Sequence, residues 1–196
     1  LAGTIIHDLT LNSDFSDQQR VRFSLTGHDG EQGKLQVQGV ILPGQPEQLL
    51  DITAQLKHIL LVRVDAATIL CSADLSIKSS AQALNVNGKV VIEQAEIRLL
   101  NPLPPSIVDL GEVHIAGQAS AAELASRGEA VVPVRLDIGI EIPGQTFVRG
   151  RGLDSEWGGS MRITGSAAQP SVEGHIESIR GILDLLGRSF DLQRGR

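Results

Sequence analysis

Between Val132 and Ile142 every second residue is aliphatic: Val132, Val134, Leu136, Ile138, Ile140 and Ile142 alternate with Pro133, Arg135, Asp137, Gly139 and Glu141. A period of two belongs to a β-strand, because successive Cβ atoms leave opposite faces of the pleat. A run this long therefore has one greasy face and one wet face. A second pattern follows an expected turn at Pro143-Gly144, with Leu153, Trp157, Met161 and Ile163 on one parity. Gly-punctuated runs that include Val172 and Ile176 continue to the end of the chain.

The occupants of the greasy face are almost all aliphatic. The chain is 41% hydrophobic but only 3% aromatic, with Phe15, Phe23, Phe147, Phe190, Trp157 and no Tyr. Aromatic side chains are the usual heavy components of a closed core. Their scarcity leaves two readings: a core packed with Leu, Ile and Val, or a surface that contacts flexible hydrocarbon. The 196 residues suffice for one ordinary domain or a large all-β one. The net charge of −6 is spread thinly, and no basic patch marks a nucleic-acid footprint. Stacking platforms for single strands are missing as well. A start at Leu1 already inside a strand-like alternation, and an end at Arg196 just after one, suggest a fragment excised from a longer chain. No window approaches the apolar length of a membrane-spanning helix.

Strand signals recur upstream. Ile5, Leu9 and Leu11 alternate with polar or small residues, as do Val21, Phe23 and Leu25, and then Leu35, Val37 and Ile41. His28 to Gly33 is a turn that makes the last two a hairpin. Ile52, Ala54 and Leu56 follow, then Leu75 and Ile77, then Leu84, Val86, Val90 and Ile92, with Ala95, Ile97 and Leu99 expected to pair closely with that strand. A short helix is conceivable near Gln45 to Leu50, with Pro46 in its first turn. Asn101 to Ser106 holds three prolines and is expected as a loop or edge crossing. Residues 117–130 read as a mobile loop. Asp14 and Asp17 read as turn formers in a polar loop. The expected fold is all-β and mostly antiparallel; a sandwich, a barrel or one long curled sheet would satisfy the pattern.

Catalytic constellations are missing from the sequence. His7, His28, His58, His114 and His175 are scattered, without metal-ligand spacing. Cys71 is alone and reads as a small buried hydrophobe. Gly150-Arg-Gly152 resembles the opening of a dinucleotide fingerprint, but it lacks the third glycine and lies between strands. Arg149 and Arg151 beside it read as solvated edge charges. We expect no enzyme, no cofactor and no metal; any site is hydrophobic.

One stretch has a familiar pattern. G-R-G-L-D-S-E-W-G-G-S-M-R-I-T-G-S-A-A-Q-P-S-V-E-G, followed by I-R-G-I-L-D-L-L-G-R-S-F-D-L-Q-R-G, resembles the C-terminal domain of the TamB family. That family is the inner-membrane subunit of the translocation and assembly module of Gram-negative bacteria, related to AsmA-like bridge-type lipid transfer proteins. The pattern falls on Gly150, Gly152 and Leu153, on Gly159 and Gly165, on Pro170 and Gly174, and on Gly187, Phe190, Leu192 and Gly195. L-N-V-N-G-K-V-V-I-E-Q-A-E-I-R-L-L-N-P-L-P-P-S upstream is similar too, so the likeness covers roughly 84–196. It implies a single U-shaped sheet, the β-taco, with an apolar interior. It also implies a periplasmic location, a parent protein anchored in the inner membrane, phospholipid acyl chains as cargo and a TamA-like outer-membrane barrel as partner.

Joined to the alternation, this makes Leu84, Val86, Val90, Ile92, Val132, Val134, Leu136, Ile138, Ile140, Ile142, Leu153, Trp157, Met161, Ile163, Val172 and Ile176 the expected lining of a lipid groove. About 10–12 strands spaced at ~4.8 Å would make it about 50 Å long. The competing reading is an assembly factor for outer-membrane β-barrel proteins and autotransporters, which adds client strands at its sheet edges. A carbohydrate-binding or adhesive domain fits less well, because sugar sites rely on aromatic platforms.

Overall fold

The computed structural model describes residues 5–17, 20–42, 49–79, 83–100 and 133–193. They form ten strands: β1 (His7–Asp17), β2 (Arg20–His28), β3 (Lys34–Leu42), β4 (Leu49–Val64), β5 (Ala67–Ser79), β6 (Leu84–Arg98), β7 (Val134–Gly150), β8 (Leu153–Ser166), β9 (Gln169–Leu185) and β10 (Arg188–Leu192). All ten belong to one sheet, and spatial order equals chain order. β1 and β10 lie at opposite edges, so the sheet is open rather than a barrel. Neighbours are antiparallel except β6 and β7, which pair in parallel from Leu84↔Val134 to Arg98↔Arg149. A parallel pair needs a crossover instead of a tight turn, and residues 99–133 connect these two strands.

The tight turns follow backbone chemistry. β7 and β8 are joined through Arg151 (φ 55°) and Gly152 (φ 82°), and β9 and β10 through Leu186 (φ 51°) and Gly187 (φ 77°). Two successive positive φ angles define the type I′ turn, whose twist matches that of the flanking strands. The β2–β3 turn is held by one carboxylate. Asp29 Oδ1 accepts from the N–H groups of Glu31 (3.0 Å) and Gly33 (2.9 Å), and Oδ2 accepts from Leu60 N–H on β4 (3.1 Å). Burial works to raise the Asp29 carboxyl, but these donors outweigh it and hold it below its ordinary value.

A line of irregularities crosses the longest strands. Register shifts fall between Leu56 and Ile59 on β4, at Leu70/Cys71 against β6, at Val91/Ala95, at Ile142/Thr146 on β7, and at Glu156/Trp157 against β9. A β-bulge bends its strand and increases the local twist. Bulges aligned across six neighbours bend the sheet as a whole. His58 (φ 50°) and Gln145 (φ 55°) carry the backbone cost of two of them. The deepest burial lies beside this line, at Ile59 and its β5 partner Cys71.

Several sequence expectations change here. Pro143-Gly144 is no turn: it is the bulge of a continuous β7, the one interior setting in which proline does not break the ladder. Leu84 to Ile92 and Ala95 to Leu99 are not two paired strands. They belong to β6, interrupted only by a bulge at Glu93, with Leu99 N–H still donating to Arg149 O (2.7 Å). Asp14 and Asp17 lie in β1. Leu49 and Leu50 begin β4 and pair with β3; the rest of the segment expected as a short helix lies outside the described residues. Arg149 is an interior strand residue; its guanidinium lies 4.7 Å from the centre of the Phe147 ring and pairs with Asp154 (3.2 Å). Arg151 donates to Leu100 O (3.1 Å). The expected loops at 101–106 and 117–130 lie outside the described residues.

Candidate functional site: an uncovered apolar face

Register places the aliphatic residues in rows that run across the strands. One row passes from Leu11 through Leu25, Val37, Ala54, Leu75, Gly88, Ile138 and Ile163 to Val172. The next runs Phe23, Gly39, Ile52, Ile77, Val86, Leu136, Gly165 and Pro170. On the other side lie Leu35, Leu56, Ala73, Val90, Ile140, Met161 and Gly174. At the paired positions from β2 through β9, this face carries no charged residue among those described.

The expected lining residues therefore share one face. Leu84, Val86, Val90, Ile92, Val134, Leu136, Ile138, Ile140, Ile142, Leu153, Trp157, Met161 and Ile163 are all partly buried. Val172 and Ile176 stand further out, at 60% and 49% exposure. Val132 lies outside the described residues. Among the described apolar residues only Ile59, Cys71, Ala73, Ala83 and Ala95 are fully buried, and every substantial packing contact between strands joins sheet neighbours. Among the described residues no second layer covers the face. Within them it is a floor without a lid, unlike the half of a closed sandwich, in which these same residues would be buried.

Sequence reasoning missed how far the floor extends. Phe23, Leu25, Val37, Ile52, Leu56, Leu75 and Ile77 belong to the same surface. Their alternation was visible, but which of them lie beside the residues of β7 is set by the register between strands. Glycine shapes the floor in one place: a Cβ built on Gly39 would lie 2.5 Å from two ring atoms of Phe23, so the missing side chain makes room for the ring.

The opposite face is polar and tied by cross-strand ion pairs. Arg162 grips Asp137 with two bonds (2.6 and 2.8 Å), Lys89 meets Glu141 (2.7 Å), and Arg180 meets Glu156 (2.7 Å). The Arg162 fork holds the Asp137 carboxyl below its usual range. A depression of about 550 Å³ on this face lies over β1 to β4, among Arg22, Gln38, Asp51 and Thr53. His58 Nδ1 contacts Glu93 (2.5 Å), and His28 Nε2 contacts Asp8 (2.7 Å). No group of metal-ligating side chains occurs among the described residues. Cys71 is buried, and burial, with Glu93 adding to it, pushes its thiol up, away from the nucleophilic thiolate.

The described residues present one long apolar surface and a polar reverse face. Residues 20–196 match the family model described as the TamB C-terminal domain. No curated protein and no solved structure matches the chain. The chain belongs to the TamB family, envelope proteins with a role in outer-membrane biogenesis.

Proposed function

We propose that this chain is the periplasmic trough of an inner-membrane-anchored protein that carries phospholipid acyl chains towards the outer membrane, working with a TamA-like barrel. The observation behind this reading is the aliphatic face, uncharged and uncovered among the described residues, that continues from β2 to β9. An acyl chain on such a floor is shielded from one side. At half of ~0.8 kcal/mol per CH₂, a chain of ~16 carbons gains roughly 6 kcal/mol before its loss of freedom is counted. Moving along rows of similar side chains changes little of that energy, so binding and sliding are compatible. Ten strands at ~4.8 Å span about 45 Å, room for several lipids in file. The test is to purify the chain from membranes and extract it for lipid mass spectrometry. Phospholipid at stoichiometric level supports the reading; lipid-free protein that also refuses added phospholipid sinks it.

A second reading rests on a separate observation. β10 pairs only with Gly181–Leu185 of β9, so the outer edge of β9 from Gln169 to Arg180 meets no further strand among the described residues. An incoming strand of a barrel client could add there. Photocrosslinkers on that edge, compared with others on the floor, separate the two: peptide adducts at the edge with no lipid adducts on the floor favour assembly.

A further inference from the structure

In its C-terminal half the apolar floor carries buried hydroxyls at Thr146, Ser155 and Ser178. Just past the bulge line, Thr146 on β7, Trp157 on β8 and Ser178 on β9 are register partners in one row. They continue the parity of Ile142, Gly159 and Ile176, so all three face the trough. Thr146 and Ser178 are each only 8% exposed, and their hydroxyl oxygens are buried without a hydrogen-bond partner. Burying a hydroxyl without a partner is unfavourable, and two of them in one row, on a face built mainly from apolar groups, call for an acceptor or donor that completes them. Between them the indole leans along its own strand, where Trp157 Nε1 donates to Ser155 Oγ (2.8 Å). Ser155 in turn donates to Val148 O (3.2 Å) and is itself buried.

We propose that Thr146 and Ser178, flanking Trp157, form a polar ledge in the trough that hydrogen-bonds the ester carbonyl oxygens of a diacyl lipid. The inference rests on the lipid-carrying reading and adds a position to it. A neutral acceptor is indicated because the ledge has hydroxyl donors and no cation: from β2 to β9 the face carries no Lys or Arg at a paired position among the described residues. A carboxylate or phosphate there would lack the charge partner that burial demands. The single hydrogen bond that holds the indole to Ser155 lets it tilt aside when a lipid arrives, giving access to both hydroxyls. Acyl chains then lie on the aliphatic rows on the Ile142 side, and the ledge is a resting point for the polar end of the cargo.

The test uses the chain's own probe. Trp157 is the only tryptophan and there is no tyrosine, so intrinsic fluorescence reports this one position. Titrate the chain with vesicles of dioleoyl phosphatidylcholine brominated at its double bonds, and in parallel with the matching dialkyl ether lipid, which lacks both carbonyls. The expected result is quenching by both, with the ester form bound roughly five- to tenfold more tightly, the yield of one or two hydrogen bonds. In the double variant Thr146→Val, Ser178→Ala the two lipids should bind alike, with a circular-dichroism melt no lower than that of the parent. Equal affinity of the parent chain for ester and ether lipid overturns the ledge while leaving the trough intact. So does an ester preference that survives the double variant. Absence of quenching by either lipid, with no lipid bound by co-sedimentation, removes the trough reading itself. Should the double variant fail to fold, the ester–ether comparison on the parent chain and on Ser178→Ala alone still decides.

Discussion

Placing a charge on the trough floor separates an open groove from a closed core. Ile138 sits between Gly88 on β6 and Ile163 on β8, partly buried, with nothing among the described residues packed above it beyond its own sheet. In Ile138→Asp the lost apolar contact is about half that of a fully buried isoleucine, about 1 kcal/mol. The poorer strand propensity of aspartate adds up to ~1 kcal/mol. At ~2–4 °C per kcal/mol for a chain of this size, the melting temperature should fall by roughly 4–8 °C. The new carboxylate reaches water in the trough and stays ionised. In a closed sandwich the same group would be an isolated buried charge costing several kcal/mol, enough to unfold most domains. Lipid binding should suffer more than stability: a carboxylate that keeps its hydration shell displaces three or four methylenes, roughly tenfold in affinity. The control is Gly139→Asp, one residue along on the polar face, where an added Cβ meets nothing closer than 3.9 Å. It introduces the same charge and should leave both readouts unchanged. The measurements are a thermal melt and a lipid titration on both variants. Collapse of Ile138→Asp, or full lipid affinity with a normal melt, would refute the reasoning.

Three further outcomes follow from particular contacts. Leu186, 96% exposed and at φ 51° in the type I′ turn before Gly187, is a poor residue for that position; Leu186→Asn should stabilise the chain by ~0.5–1 kcal/mol, read as a higher denaturant midpoint. Gly39→Val drives a side chain into the Phe23 ring and should cost ~1–3 kcal/mol, largely recovered by a second change, Phe23→Ala, in a double-mutant cycle. Asp29 has a depressed carboxyl in the folded chain, so its contribution is present above the ordinary carboxylate value and is lost as pH falls through the lower folded value. Asp29→Asn should therefore be the less stable protein at neutral pH and should lose less than the parent between about pH 5 and pH 2 in pH-dependent melts.

Local periodicity alone determined much of this protein. Strand identity, the division into an apolar and a polar face, the hairpin at His28 to Gly33 and the shared face of Leu136, Ile138, Met161 and Ile163 all follow from which side of a pleat each side chain leaves. These are properties of a residue and its immediate neighbours. Pairing was beyond that reach. Pro143-Gly144 has the composition of a turn, and becomes a bulge only because β6 and β8 continue on both sides of it. Register between strands sets which residues of β2 to β6 lie beside those of β7, which is why Phe23 could not be joined to Leu136 by counting residues. The parallel β6–β7 pair, and the single layer that the described residues form, are decisions between distant segments. An aliphatic strand face reads identically whether another sheet lies on it or not. Only the tertiary structure, by joining the strands in one sheet and setting Thr146 and Ser178 beside Trp157 from three different strands, turned separate alternating patterns into one continuous apolar face.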